Sequence, residues 1–267
     1  MKVVEVKLVI VVAVLLATAA TAQEGVEPLV TDRPDITESS QVVGPGRFQI
    51  ETGLLREYRS GRNGDERSLF TPTLLRLGLT SRWEARLETD GYSRARVFSP
   101  DAGVTRTSGY SVLAPGAKYQ IREAGEGWTE PSLAAIFHVN VPSGSGIFRG
   151  QKLTWDAKVA ADWDLAPKWS LGVNAALVFD EDDRGKVFTS GVLTGSLGRE
   201  LTNRVRSFVE LATQLPESSH GGRALVLDGG FTYLLNLDTQ LDLAVGTGLS
   251  GATPADVFWT LGLSRRF

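Results

Sequence analysis

The chain has 267 residues, 42% hydrophobic and 22% charged, with 29 Gly, 11 Pro, no Cys and a formal net charge of −3. Without Cys there is no disulfide framework, iron–sulfur cluster, thiolate metal site or Cys nucleophile. The acidic balance and the lack of a basic block remove the electrostatic footprint a nucleic-acid partner needs. The apolar content is that of a folding chain, neither disordered nor collagen-like.

Lys2 and Lys7 precede an apolar run from Leu8 to Ala17, and Ala20-Thr21-Ala22 supplies the small residues of a cleavage site. This pattern predicts a secretory signal peptide over residues 1–22, too short for a spanning helix. Residues 23–46 are too polar for a strand and form an N-terminal periplasmic or plug segment. It either plugs the periplasmic mouth or tethers the chain. Asp32, Arg33 and Asp35 are the plug candidates, because Arg33 could pair with an acidic lumen.

From residue 47 to 267 the dominant period is two. In Trp155–Leu165 one face reads Trp, Ala, Val, Ala, Trp, Leu and the other Asp, Lys, Ala, Asp, Asp. Comparable segments run Arg47–Tyr58, Ser68–Leu79, Trp83–Tyr92, Tyr110–Ile121, Pro131–Val141, Leu153–Leu165, Trp169–Phe179, Val187–Leu201, Val205–Gln214, Ala224–Leu235, Gln240–Leu249 and Val257–Phe267. About ten residues, each rising about 3.3 Å on a strand tilted by about 45°, span close to 25 Å, the height of an outer-membrane apolar band. The expected fold is all-β, a transmembrane antiparallel up-and-down β-barrel of about twelve strands.

The connections alternate. Thr80–Arg82, Ala166–Lys168, Thr202–Arg204 and Asn236–Thr239 are tight turns, with Arg122–Glu130 the longer member of that set. Ser60–Arg67, Ser93–Gly109, Pro142–Lys152, Asp180–Lys186, Leu215–Arg223 and Ser250–Asp256 read as outer loops, mostly longer. Phe48, Trp83, Tyr119, Trp163, Trp169, Tyr233 and Phe267 fall near the periplasmic ends in the apolar phase, and Tyr58, Trp155, Phe179 and Trp259 near the outer ends. These are two interfacial girdles.

Thr31-Asp32-Arg33-Pro34-Asp35-Ile36-Thr37-Glu38-Ser39, followed by Val43-Gly44-Pro45-Gly46-Arg47-Phe48-Gln49-Ile50-Glu51-Thr52-Gly53, resembles the opening of the phenol-degradation meta-pathway family of transporter-like outer-membrane proteins. The likeness continues through Lys118-Tyr119, Val141-Pro142-Ser143-Gly144, Tyr233–Asn236, Leu241-Asp242-Leu243 and Gly262–Phe267, with Ser143 standing where the family's Thr is expected. The resemblance implies a small channel-like barrel in the cell outer membrane and, through aromatic catabolism, phenolic or aromatic solutes. Phe267 also looks like the terminal aromatic by which the barrel-assembly machinery recognises its clients.

The inward phases carry the lumen-lining candidates Glu51, Arg76, Glu84, Arg86, Glu88, Lys118, His138, Asn140, Asp156, Lys158, Asp162, Asn174, Arg206, Glu210, Gln214 and Asp242. Mixed charges inside a narrow barrel make either a selective aqueous path or a salt-bridged core that holds it nearly shut. The acidic candidates outnumber the basic ones, which favours cations or neutral solutes.

No metal, cofactor or catalytic residue is expected. His138 reads as a lumen hydrogen-bonding group, and His220 sits in a loop beside Ser218 and Ser219. Outer-membrane phospholipase A is also a twelve-stranded barrel, with Ser and His two apart on a lipid-facing strand, an arrangement neither histidine reproduces. Asp180-Glu181-Asp182-Asp183 could gather Ca²⁺, or form a solvated loop bridged to lipopolysaccharide by divalent cations. The expected partners are outer-membrane lipid and lipopolysaccharide, the assembly machinery and a small-molecule solute. The expected function is passive diffusion of small, aromatic or hydrophobic solutes. The alternatives are a structural or interaction barrel and, third, a lipid hydrolase.

Overall fold

A strand buried on neither face by protein must pair both edges and place its apolar face in lipid, and closure into a barrel does both. The computed structural model describes residues 27–61, 64–125, 129–182, 185–216, 218–250 and 253–267. The signal-peptide region and residues 23–26 lie outside them, as does Asp183 of the acidic loop.

The strands are β1 (Phe48–Gly61), β2 (Gly64–Phe70), β3 (Thr73–Gly78), β4 (Trp83–Thr89), β5 (Tyr92–Ser99), β6 (Gly103–Tyr110), β7 (Ala114–Arg122), β8 (Ser132–Asn140), β9 (Thr154–Ala166), β10 (Trp169–Glu181), β11 (Val187–Glu200), β12 (Val205–Leu215), β13 (Ala224–Asn236), β14 (Thr239–Gly248) and β15 (Val257–Arg266). Twelve of them, β1, β3, β4 and β7 through β15, follow one another around an antiparallel barrel. It is closed by β1 against β15 from Gln49↔Arg266 to Tyr58↔Val257.

The other three, β2, β5 and β6, prolong neighbouring staves beyond bends at Thr71-Pro72, Asp90-Gly91 and Ser111–Leu113. Pro72 has no N–H to give the ladder, yet the register against β1 runs on unshifted from Thr52↔Thr73 to Leu55↔Phe70. Gly91 turns with φ +64°, where a Cβ would stand 2.4 Å from the Thr71 carbonyl oxygen.

These extensions correct the sequence reading at five places. Most of Ser60–Arg67 and Ser93–Gly109, expected as loops, is paired strand, and the single strands expected over Ser68–Leu79, Trp83–Tyr92 and Tyr110–Ile121 are broken at Thr71-Pro72, at Asp90-Gly91 and after Tyr110. The reason is chemical. Beyond the lipid, outward positions tolerate Arg, Ser and Thr, so the apolar alternation fades while the backbone ladder persists.

The distribution of residues is inside out. Val159, Leu177, Leu193, Leu211, Leu243 and Leu261 face outward and are 45–56% exposed, whereas the fully buried side chains include Arg76, Lys118, Glu51, Glu84 and Glu210. Only a hydrocarbon surround accommodates that exterior, so the barrel is transmembrane. Aromatic pairs ring both ends. Trp83–Tyr119 (4.7 Å) and Phe48–Phe267 (6.2 Å) lie beside the short turns, and Trp155 with Phe137 (6.3 Å) and Phe179 (6.1 Å) lies at the loop end.

Candidate functional site: the barrel interior

The strand faces turned inward deliver ionisable groups into a space that the chain itself fills. Residues 27–46 enter beside the β13–β14 turn, where the Leu29 amide donates to the Leu237 carbonyl (2.8 Å). They leave beside the β3–β4 turn, where the Gly46 amide donates to Gly78 (2.8 Å). Between these points the backbone folds into the lumen and is held by side chains from most of the barrel wall.

On the β1–β9 side a charge-balanced network surrounds Asp32 and Glu38. Asp32 lies 2.8 Å from Lys118, 3.0 Å from Arg86 and 3.5 Å from Arg76, and Arg76 also reaches Glu51 and Glu84 at 2.8 Å each. Glu38 pairs with Arg86 at 2.6 Å and with Lys158. Burial opposes ionisation of Asp32, but Arg76, Lys118 and Arg86 more than offset it and hold its carboxyl at about 2. Burial likewise opposes charge on Glu38, and Arg86 and Lys158 overcome it, leaving the group well below its usual range.

The opposite wall is acidic. Glu210 accepts hydrogen bonds from the amides of Ile36 (2.6 Å) and Thr37 (2.7 Å) and from the Thr37 hydroxyl. Asp35 accepts from Ser196 at 3.0 Å, and burial together with the Glu210 charge pushes its carboxyl up to about 7. Further along, Ser40 donates twice to Asp162 (2.7 Å each), and the Glu38 amide donates to the Asn174 side-chain Oδ1 (2.7 Å).

Arg33 occupies a slot of its own. Its guanidinium reaches Asp242 (3.1 Å) and the Thr260 hydroxyl (2.7 Å). The slot exists because Gly53 and Gly262 face each other across β1 and β15, and a Cβ at either would come within 2.6 Å of the guanidinium.

The lumen candidates all fall on inward phases, though not in one place. Glu51, Arg76, Glu84, Arg86, Lys118, Lys158, Asp162, Asn174, Glu210 and Asp242 meet residues 27–46 or the groups that hold them. Asn140, Gln214 and Arg206 instead bond to wall hydroxyls of Thr154, Ser190 and Ser170. His138 is buried, 3.3 Å from Asp156 and 3.8 Å from the more exposed Glu88. Glu38, Asp228, Thr260 and the two slot glycines were not singled out from sequence. Glu38 stood in the same motif as Asp32, and Asp228 interrupts the apolar β13 run Ala224-Leu225-Val226-Leu227 in the inward phase, so both left a trace.

Two cavities flank the segment. One, of about 210 Å³, opens among Arg33, Asp35, Thr37, Asp162, Ser170 and Arg206. The other, of about 270 Å³, lies among Glu38, Glu88, His138, Asp156 and Lys158. Thr37 borders the first and Glu38 the second, so the inner bend of residues 27–46 separates them.

Among the described residues no group of three or more His, Asp or Glu side chains is arranged to hold a metal ion. In the outer loops the imidazole Nδ1 of His220 faces both Ser219 (3.2 Å) and Asp182 (3.7 Å), and Ser219 donates to that same Asp182. A relay needs Ser and carboxylate on opposite ring nitrogens, so Ser219, His220 and Asp182 do not by themselves form one. Ser218 accepts from the His220 amide and is spent on the turn.

Residues 31–267 match the family described as "Putative MetA-pathway of phenol degradation". The chain belongs to this family. The match begins at Thr31, so this phenol-degradation family includes the interior segment along with the staves. Among solved structures the family member is similar to an outer membrane channel from Pseudomonas putida F1, with TM-score 0.63 and 14% identity over 93% of this chain and 100% of that one. It is also similar to the β domain of the Bordetella autotransporter Brka (TM-score 0.55, 16% identity, 84% and 100% covered) and the translocator domain of NalP from Neisseria meningitidis (0.53, 12%, 84% and 89%). At these identities the likeness is one of fold. No curated protein sequence matches the chain. The closed barrel, its apolar belt and its girdles place this family member in an outer membrane.

Proposed function

We propose that the protein is an outer-membrane channel through which small solutes, phenolic compounds among them, diffuse passively, with residues 27–46 forming its constriction. The observation that carries this reading is the pair of cavities, lined by both charged and apolar groups, on either side of one chain segment inside a closed barrel. Cavities of about 210 and 270 Å³ suit small molecules, since drug-sized ligands occupy about 300–1,000 Å³. The aromatic substrate class rests on the family's description.

Charge counting along the wall is a poor guide to selectivity here. Glu51, Glu84, Arg76, Arg86 and Lys118 neutralise one another and Asp32, so the open cavity walls rather than the inward total would set ion preference. The same ion-paired packing favours a second reading, a structural barrel that conducts nothing. Liposome swelling by the refolded chain from Gln23 onward, with neutral phenols and with organic anions, separates the two. Uptake of phenols supports the channel, and impermeability both with and without residues 23–46 leaves the structural barrel.

A further inference from the structure

The strand extensions carry a patch that the interior does not use. On the outward phase, set by Leu54 of β1, the next positions are Arg56 and Tyr58. Across the ladder one row reads Tyr58, Arg67, Arg96, Arg106 on β1, β2, β5 and β6, and the adjacent row reads Arg56, Leu69, Arg94. Neighbouring strands lie about 4.8 Å apart, so Arg67, Arg96 and Arg106 fall within about 10 Å of one another. All five arginines line a single depression with Ser68 and Leu69.

Five like charges this close repel, and among the described residues none of them has a carboxylate within 4.0 Å. The guanidiniums of Arg56 and Arg67 lie 5.4 and 5.9 Å from the Tyr58 ring centroid, and the Arg56 Nε is buried without a hydrogen-bond partner. Cation–π contact engages the guanidinium face and leaves its N–H edge for an oxygen ligand.

Position decides which ligand. The patch points away from the lumen, so it is not a waiting site for permeating solute. It begins one outward step beyond lipid-facing Leu54, beside Trp259, which pairs with Arg56, and Tyr92, which packs on Tyr110 at 5.7 Å. Those aromatics mark the outer interface, where a lipid's headgroup meets the barrel wall.

We propose that this arginine patch binds the phosphate groups of a multiply phosphorylated glycolipid of the outer leaflet, lipopolysaccharide, by bidentate guanidinium–phosphate pairing. The assignment depends on the barrel's membrane placement and is independent of the channel reading. It differs from cation bridging at the acidic loop, because arginine needs no divalent ion.

The test titrates the refolded chain, in detergent, with purified lipopolysaccharide, with its enzymatically dephosphorylated form and with inorganic pyrophosphate, all in EDTA. Saturable binding should weaken at least tenfold on dephosphorylation and at least tenfold in Arg67→Gln/Arg96→Gln/Arg106→Gln, but stay unchanged in Asp180→Asn/Glu181→Gln. A difference in gel migration between unboiled and boiled samples verifies folding, and Arg96→Gln and Arg106→Gln singly give the same reading if the triple variant fails to refold. Unchanged binding in the arginine variants, or loss of wild-type binding in EDTA, overturns the proposal. Pyrophosphate binding as tight as that of the lipid overturns the lipid assignment.

Discussion

Asp32 and Asp35 are three residues apart and sit in opposite fields. Asp32 faces Lys118, Arg86 and Arg76, and removing its charge leaves three buried cations without their shared partner. Breaking a buried pair in this way costs about 3–5 kcal/mol. Asp32→Asn should therefore release residues 27–46, seen as faster proteolysis of that segment in the folded barrel. Asp35 faces Glu210, with Asp228 beyond, and its carboxyl is raised from 3.8 to about 7. A raised carboxyl favours the docked segment while protonated, so its contribution is full below 3.8 and is lost as pH rises to about 7. Asp32, depressed to about 2, contributes above 3.8 and loses its contribution only as pH falls towards 2. Segment docking should be tightest at acid pH, close to the ordinary carboxyl range, and loosen towards pH 7, and Asp35→Asn should reduce that loosening. Hydrogen exchange of residues 27–46 across this range checks it, and a flat wild-type profile would refute it. Gly262→Val should act on the same segment sterically, expelling Arg33 from its slot beside Asp242 and exposing the segment at every pH.

At the scale of the element, Val159 and Lys158 make a direct comparison. They are adjacent on β9, yet Val159 is 49% exposed on the lipid side while Lys158 turns inward to Glu38. Val159→Arg should impair refolding into lipid vesicles, since an outward Arg near the bilayer midplane costs roughly 2–4 kcal/mol. Lys158→Ala leaves Glu38 its Arg86 partner, so the barrel should still form, with a looser segment. Equal refolding yields for the two variants would mean that the phase of β9 is wrong. That phase was legible in the sequence because Trp155-Asp156-Ala157-Lys158-Val159 alternates strictly where lipid meets one side and polar groups the other. The extensions were not, because Arg94-Ala95-Arg96 and Arg67-Ser68-Leu69 lie outside the apolar belt, where only backbone pairing maintains the strand. Nor could sequence show that Gly53 and Gly262 face each other. Their pairing depends on β1 meeting β15, the contact of longest sequence separation in the sheet.

For the whole molecule, the interior segment decides what an otherwise continuous barrel can pass. About twelve staves lie between eight-stranded barrels filled by side chains and the open channels of sixteen-stranded porins, so a bore of this size is narrow and one strand's width of chain can interrupt it. Residues 27–46 fill it where Thr37 and Glu38 meet Glu210, Asn174 and Lys158. A chain beginning after Gly46 would keep all twelve staves but lose Asp32 and Glu38, leaving Arg76, Arg86, Lys118 and Lys158 against Glu51 and Glu84. Removing the segment should therefore enlarge the single-channel conductance and, because it takes away Asp32, Asp35 and Glu38 against Arg33 alone, shift selectivity towards anions. Planar-bilayer recording of both forms under a salt gradient checks both effects, the second by the shift of the reversal potential between them. A larger conductance with unchanged selectivity would place the selective charges in the outer cavity around Glu88 and Asp156. Equal conductance in the two forms would show that residues 27–46 are not the constriction.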